Sequence, residues 1–396
     1  MAAPKIRFPG FNGDWEQRKL SDVADICGGG TPSSSVPEYW DGDIDWYAPA
    51  EIGEQIYLEG SQRKITKLGL EKSSAKMLPV GTVLFTSRAG IGNTAILRKN
   101  GCTNQGFQSI IPHEGQLDSY FIFSRTPELK KYGETMGAGS TFVEVSGKQM
   151  ANMDIFIPAM DEQKKIGGFF EQLDNLITLH QRKYDDLKQL KKSMLQKIFP
   201  ADGENVPKVR FPGFTDAWEQ RKFGDIFQEY SEKNYEELPP LTIVQGAGTV
   251  LREESGRDIK YDKSSLNNYK MVNQGDFILH LRSFEGGLEV ANTQGIVSPA
   301  YHIFHGEEAD SRFYYPFFRS YNFINVLLKP HVYGIRDGKS IDVEGMKGIK
   351  IPFPQLEEQK RIGDFFEQFD NALTLHQRKL DDLKLLKKSL LQQMFV

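Results

Sequence analysis

The chain states one pattern twice, and any fold proposed for it has to be built twice as well. Residues 5–23, KIRFPGFNGDWEQRKLSDV, return at 208–226 as KVRFPGFTDAWEQRKFGDI, with 12 of 19 positions identical at an offset of 203. Residues 162–199 return at 358–395 with 28 of 38 identical, at an offset of 196. Each half is therefore a repeated frame around a diverged insert, and the first insert is seven residues longer (203 − 196). A faint echo persists inside: Met77-Leu78-Pro79-Val80-Gly81 and Arg88 answer to Met271-Val272-Asn273-Gln274-Gly275 and Arg282, and Ile155–Pro158 to Ile351–Pro354. Such a pattern predicts one fold used twice with two different surfaces.

The second repeated element reads as a long helix. No proline interrupts 161–198, and Ile166, Phe170, Leu173, Ile177, His180, Tyr184, Leu187, Lys191, Met194 and Ile198 recur at alternating spacings of four and three. The other copy carries Ile362, Phe366, Phe369, Leu373, His376, Leu380, Leu383, Lys387, Leu390 and Met394, with its two polar residues at the same places. A stripe of period 3.5 needs a partner helix. The obvious partner is the other copy, paired antiparallel, with His180 and His376 as polar residues that set register. Gly167-Gly168 and Gly363 predict an irregular first turn.

Between the frames, the inserts (roughly 20–158 and 223–354) mix β-branched and aromatic runs with glycine punctuation and predict compact α/β domains. Thr82–Thr86 and Asp276–His280 follow matched glycines and read as equivalent strands. Residues 117–131 and 311–328 read as equivalent helices.

At 396 residues the chain suits two or three domains. Its 39% hydrophobic and 26% charged residues match an ordinary globular protein. No apolar run approaches the length of a membrane span, and Met1–Arg7 has no secretory apolar stretch, so the expected compartment is the cytoplasm. Cys27 and Cys102 read as two reduced structural thiols. Catalytic signatures are absent: GxGxxG, HExxH, GxSxG and CxxC do not occur, and Gly334–Ser340 misses a phosphate-binding loop by one residue. Glu162-Gln163-Lys164 and Glu358-Gln359-Lys360 resemble part of a nuclease site, yet they open helices, where the helix dipole accounts for acids. His302 and His305 fall on opposite faces of a strand and predict no metal site.

The inserts do carry polar, glycine-rich loops with the side chains that read base edges: arginine for guanine, asparagine and glutamine for adenine. In the first insert these are Ser87, Arg88 and Asn93, then Asn104, Gln105 and Gln108; in the second, Arg282, Ser283 and Gln294, then Arg336, Lys339 and Ser340. The loop from Gly28 to Ser35, with Thr31 and Ser33, could approach a phosphate backbone through bare amides. Trp40, Trp46 and Tyr47 read as core or domain edge rather than stacking platforms. A net charge of −4 is not the footprint of a self-sufficient nucleic-acid binder and also suits a two-lobed adaptor for protein or glycan.

With the two RFPGF-x3-WEQRK openers, GGGTPSSSVPEYW with GDIDWY, TSRAGIGNTAI, TNQGFQSIIP and the two EQK-[KR]-IG helices in view, the chain resembles the DNA specificity subunit of type I restriction-modification systems over essentially its whole length. That resemblance implies an α+β protein with two α/β target-recognition domains related by a pseudo-two-fold axis, joined by two long helices in an antiparallel coiled coil. The expected boundaries are 5–158 and 201–355 for the recognition domains, and 159–200 and 356–396 for the helices. It implies a non-catalytic chain that reads an asymmetric bipartite site on double-stranded DNA and docks two modification (methyltransferase) subunits, with restriction/translocase subunits in the full complex. S-adenosylmethionine, ATP and Mg would be used by those partners and none bound by this chain.

Overall fold

The computed structural model describes residues 3–53, 55–88, 90–138, 144–201, 203–256, 263–280, 282–334 and 340–395. It divides into two compact units, residues 1–181 with 378–396 and residues 182–377. The two long helices, Met160–Ile198 and Leu356–Met394, each begin in one unit and end in the other.

In each unit the EQRK of the repeated opener forms an exposed strand. Glu16–Lys19 pairs antiparallel with Asp154–Ile157, and Glu219–Lys222 pairs antiparallel with Lys350–Phe353. The strand that closes each insert is thus tied to the strand that opens it, immediately before the helix. The preceding tryptophans, Trp15 and Trp218, are buried.

Every position of the two predicted stripes is buried or half-buried. Within the first unit, the end of the C-terminal helix runs against the start of the central one: Phe395 stacks on Phe170 with ring centroids 5.9 Å apart, and Lys387 Nζ lies 2.6 Å from Asp174 Oδ1. Within the second unit Lys191 pairs with Asp370, while Ile198 and Leu195 join a core with Ile362 and Phe366. Both pairings are antiparallel. The seam lysines at matching positions each find the matching aspartate of the facing helix. The predicted irregular first turn does not occur: both helices run regularly through their glycines. Gly167 is instead a close-packing site, where a Cβ would stand 2.6 Å from Asp118 Oδ1 and 3.0 Å from the Phe121 nitrogen.

In the first unit a five-stranded sheet is ordered Ala24–Gly28, Gln108–Pro112, Val83–Phe85, Thr94–Leu97 and Tyr57–Leu58, beside a three-stranded sheet of Arg63–Ile65, Trp40–Tyr47 and Cys102–Thr103. The second unit has a four-stranded sheet of Gln228–Tyr230, His302–His305, Phe277–Leu279 and Glu289–Val290, with the hairpin Leu241–Val244/Gly248–Leu251 and two smaller strand pairs. Its core is largely aromatic, with Phe318 within 4.8 Å of both Phe277 and Phe323, ring centre to ring centre. Each predicted insert helix breaks in two, into Ser119–Ser124 and Thr126–Gly137, and into Ser311–Phe318 and the π-helical Phe323–Leu328. Trp40 and Trp46 are core residues, packed edge to face at 5.2 Å. Both cysteines are free and buried, and burial pushes the Cys102 thiol up to about 12.

Candidate nucleic-acid interface

In the first unit, segments remote in sequence converge at the C-terminal end of strand Val83–Phe85. The Ser87 nitrogen donates to Gly106 O at 2.8 Å, and Val145 N donates to Ser87 O at 3.0 Å. The main chain of Arg88 bridges that of Glu144. Gly30 N donates to Thr103 O at 2.8 Å, and the Thr31 hydroxyl hydrogen-bonds the Gln105 side chain. Asn104 Oδ1 accepts from Gly106 N at 2.7 Å, the Asx-turn geometry that fixes a polar loop. Thr31, Arg88, Asn104 and Gln105 therefore share one cluster. Asn93 is exposed at the end of the Arg88 loop, closed by its N–H on Thr86 Oγ1 at 2.9 Å. Gln108 is half-buried beside the backbones of Gly28 and Gly147.

Three expectations for this unit change. Ser87 is fully buried, so its hydroxyl cannot meet a base edge. The glycine loop is no cradle of bare amides: a Cβ at Gly29 would run into the carbonyls of Thr103 and Asn104, and the Gly30 amide is already engaged. Ser33 is exposed, but its carbonyl caps the Trp40 indole at 3.1 Å and its hydroxyl pairs with Ser35, which turns it to a neighbouring patch.

In the second unit Arg282 follows strand Phe277–Leu279 as Arg88 follows its counterpart. It is exposed and stands at the start of the short helix Ser283–Gly286. Ser283 is fully buried, its hydroxyl accepting from His280 N at 2.9 Å, so its part is local structure. Gln294 lies at the other end of the same strand, where it donates to Asn273 Oδ1 at 3.0 Å, because Asn292–Gln294 follow Ala291, whose N–H bonds Asp276 O. The loops of Arg282 and Gln294 are thus not brought together. Ser340 is exposed and pairs with Tyr333; it lines a groove with His280, Ala300 and His302. Arg336 and Lys339 lie outside the described residues.

His280 was not singled out by its sequence. Burial, with Arg319 and Arg282 nearby, pushes its imidazole down to about 4, and its Nε2 is buried without a hydrogen-bond partner. His302 and His305 do face apart, on Glu229 and Asp276 respectively, each at 2.7 Å. Also missed was the hairpin 241–251, although LTIV-QGAG-TVL carries a hairpin signature of two β-branched runs around glycines.

The helix-opening EQK triplets hold the frame rather than any chemistry. Glu162 and Glu358 are buried on Arg7 and Arg210 of the openers, a stronger cause than the helix dipole. Gln163 and Gln359 are buried clamps. Gln163 accepts from Asp118 N and donates to Gln116 O and Pro158 O; Gln359 accepts from Asp310 N and donates to Glu308 O and Pro354 O.

A family model described as Type I restriction modification DNA specificity domain matches residues 12–189 and again 216–385. The chain is similar to the type I restriction enzyme MjaIX specificity subunit of Methanocaldococcus jannaschii, 32% identical over 231 residues that cover 56% of this chain and 53% of that protein. It is also similar to the putative MjaX specificity subunit of the same organism, 22% identical with 96% and 92% covered. The chain spans about half the length of the first of these and 48% of the EcoR124I/EcoR124II specificity subunit of Escherichia coli. In fold it resembles the crystal structure of a type I restriction-modification S subunit from M. genitalium, with a TM-score of 0.59, 15% identity, and 100% and 99% of the two chains covered.

Proposed function

Because the chain belongs to the family of type I restriction modification DNA specificity domains, matched in both halves, we propose that it is the subunit that reads a bipartite, asymmetric site on double-stranded DNA. One observation carries the reading: a single frame built twice presents two loop clusters, at the same strand end, that differ in nearly every side chain. Arg88 and Arg282 are the matched pair; around them stand Thr31, Asn104 and Gln105 in one unit and His280 and Ser340 in the other. A symmetric partner would be met by like surfaces, whereas unlike surfaces on like frames suit two unlike half-sites.

The chain itself carries out no chemistry in this reading. Among the described residues no three His, Cys, Asp or Glu side chains group as a metal site. S-adenosylmethionine, ATP and Mg belong to partner subunits. Two modification subunits dock on the long helices, and the helices offer matched places: Leu179 and Leu190 on one, Leu375 and Leu386 on the other, all exposed at equivalent positions. Among the described residues no helix is long and apolar enough to cross a membrane. Partners that clamp the duplex would supply much of the phosphate neutralisation that a chain of net charge −4 lacks.

Co-expression with the modification subunits of its own system, followed by single-molecule mapping of methylated adenines, tests the reading. A bipartite motif with a fixed gap is expected, and weak binding by the chain alone. A stable complex that leaves no motif, or tight, salt-resistant binding without partners, would contradict it and favour a protein-binding adaptor.

A further inference from the structure

The second unit holds a device that its counterpart lacks. Glu289 is a carboxylate with no exposed surface, set on the edge strand of the four-stranded sheet. It accepts from Gly246 N at 2.8 Å, Gly248 N at 3.1 Å and Tyr315 Oη at 2.7 Å, and it pairs with Arg319. The other side of the same hairpin tip is held by Asn292, whose amide donates to Ala247 O at 2.7 Å and Thr249 O at 2.9 Å. Four consecutive residues, the exposed Gly246 and Ala247 and the buried Gly248 and Thr249, thus have main-chain groups bound by two side chains from elsewhere in the fold.

At Gly246 and Ala247 such anchoring goes beyond what a turn needs, since exposed main-chain groups find their partners in solvent. What it leaves outward is Gln245. That side chain is exposed, and its carboxamide makes no hydrogen bond to another described residue. Its amide end lies over Gly286, where an added Cβ would displace it. Gly286 closes the short helix that Arg282 begins, so Gln245 and Arg282 belong to one surface.

The duplicated frame supplies the contrast. Leu84 faces Ala95 across its strand pair as Ile278 faces Glu289, which puts an alanine where the second unit has its buried acid. There the parallel strand Tyr57–Leu58 covers the edge. Where two copies of a frame diverge by adding a buried acid that ties the tip to Tyr315 and Arg319, the tip has a task particular to that copy.

We propose that Gln245 is a base-reading side chain of the second unit, contacting adenine through its N6 and N7 edge, and that Glu289 is the positioning residue that fixes it. This rests on the reading of the chain as a DNA specificity subunit. Holding the main chain next to Gln245 reduces the freedom lost when its amide meets the base.

The test is methylated-adenine mapping with the full chain and its modification subunits, comparing wild type, Gln245→Ala, Glu289→Gln and Arg282→Ala. The half-site of the second unit is identified by exchanging residues 223–354. Gln245→Ala is expected to relax one adenine position of that half-site, by about tenfold or more in discrimination, with the other half-site unchanged. Glu289→Gln should relax the same position, because an amide offers one acceptor oxygen where the tip needs two. A purely structural acid would instead lower methylation everywhere and leave the motif intact. If wild type shows a bipartite motif and Gln245→Ala keeps every position of it, the inference falls while the specificity reading stands; if wild type shows no motif, the specificity reading itself fails.

Discussion

Arg7 lies across Glu162 in a two-pronged ion pair, Nε to Oε1 at 2.6 Å and Nη2 to Oε2 at 2.7 Å. Arg210 repeats this on Glu358 at 2.7 and 2.8 Å, and there the Trp218 indole adds a third donor at 3.0 Å. The arginine belongs to the opening repeated element and the glutamate to the closing one, 155 and 148 residues away. The two repeated motifs are the two halves of one lock, and each copy of the lock closes around an insert.

Removing one side of that lock should therefore be costly. Each glutamate side chain is only 1% exposed, and stranding a buried charge costs about 3–5 kcal/mol. Arg7→Ala or Arg210→Ala is expected to lower Tm by about 6 °C or more, read by differential scanning calorimetry. A shift below about 2 °C would mean that the frame is closed elsewhere.

Two adjacent glycines should respond in opposite directions. A Cβ at Gly167 meets Asp118 and the Phe121 backbone, whereas a Cβ at Gly168 meets nothing within 4 Å. Gly167→Ala is expected to destabilise despite the better helix former. Gly168→Ala should stabilise by up to about 1 kcal/mol. Denaturant midpoints of the two variants check both signs.

The His280 imidazole, held down to about 4 by burial and neighbouring arginines, carries a pH signature. Unfolding restores an ordinary value of about 6.5, so below that pH the unfolded chain takes the proton first. Stability is lost as pH falls from about 6.5 to about 4, then levels off. His280→Asn should remove this part of the slope, so melting curves at pH 7.5 and 5.0 should differ less for the variant than for wild type.

The specificity reading predicts modular behaviour. Replacing residues 223–354 with another insert should change one half-site and leave the other. Each long helix spans about 58 Å at 1.5 Å per residue, and four residues add about 6 Å, near two base-pair steps. Inserting four residues into both helices should lengthen the gap between half-sites, as read in the methylated motif. Full methylation of the unchanged site would overturn the ruler.

The frame was legible because it is written twice: the stripe from Ile166 to Ile198 has to be covered, and a matching stripe waits in the same chain. The matched strands and the equivalence of Arg88 with Arg282 followed from one faint echo. Loop burial was not legible. Ser87 and Ser283 have the composition of reading residues, but each sits where the chain turns inward, and one residue decides which way a side chain faces beyond a strand end. Gln294 was grouped with Arg282 on chemistry, yet the strand between their loops carries them to opposite ends. Glu289 gave no signal at all, since nothing local distinguishes a buried acid from a surface one in a polar stretch.

Gln163 and Gln359 grip their inserts almost entirely by main-chain atoms: the nitrogens of Asp118 and Asp310, the carbonyls of Gln116 and Glu308. Every amino acid but proline supplies those groups, and proline fails only at the two donating positions. A clasp of this kind is indifferent to the wording of what it holds, so an insert can be rewritten, or exchanged whole between genes, without renegotiating its attachment. Novelty in the loops and constancy in the frame are then separable at the level of the gene.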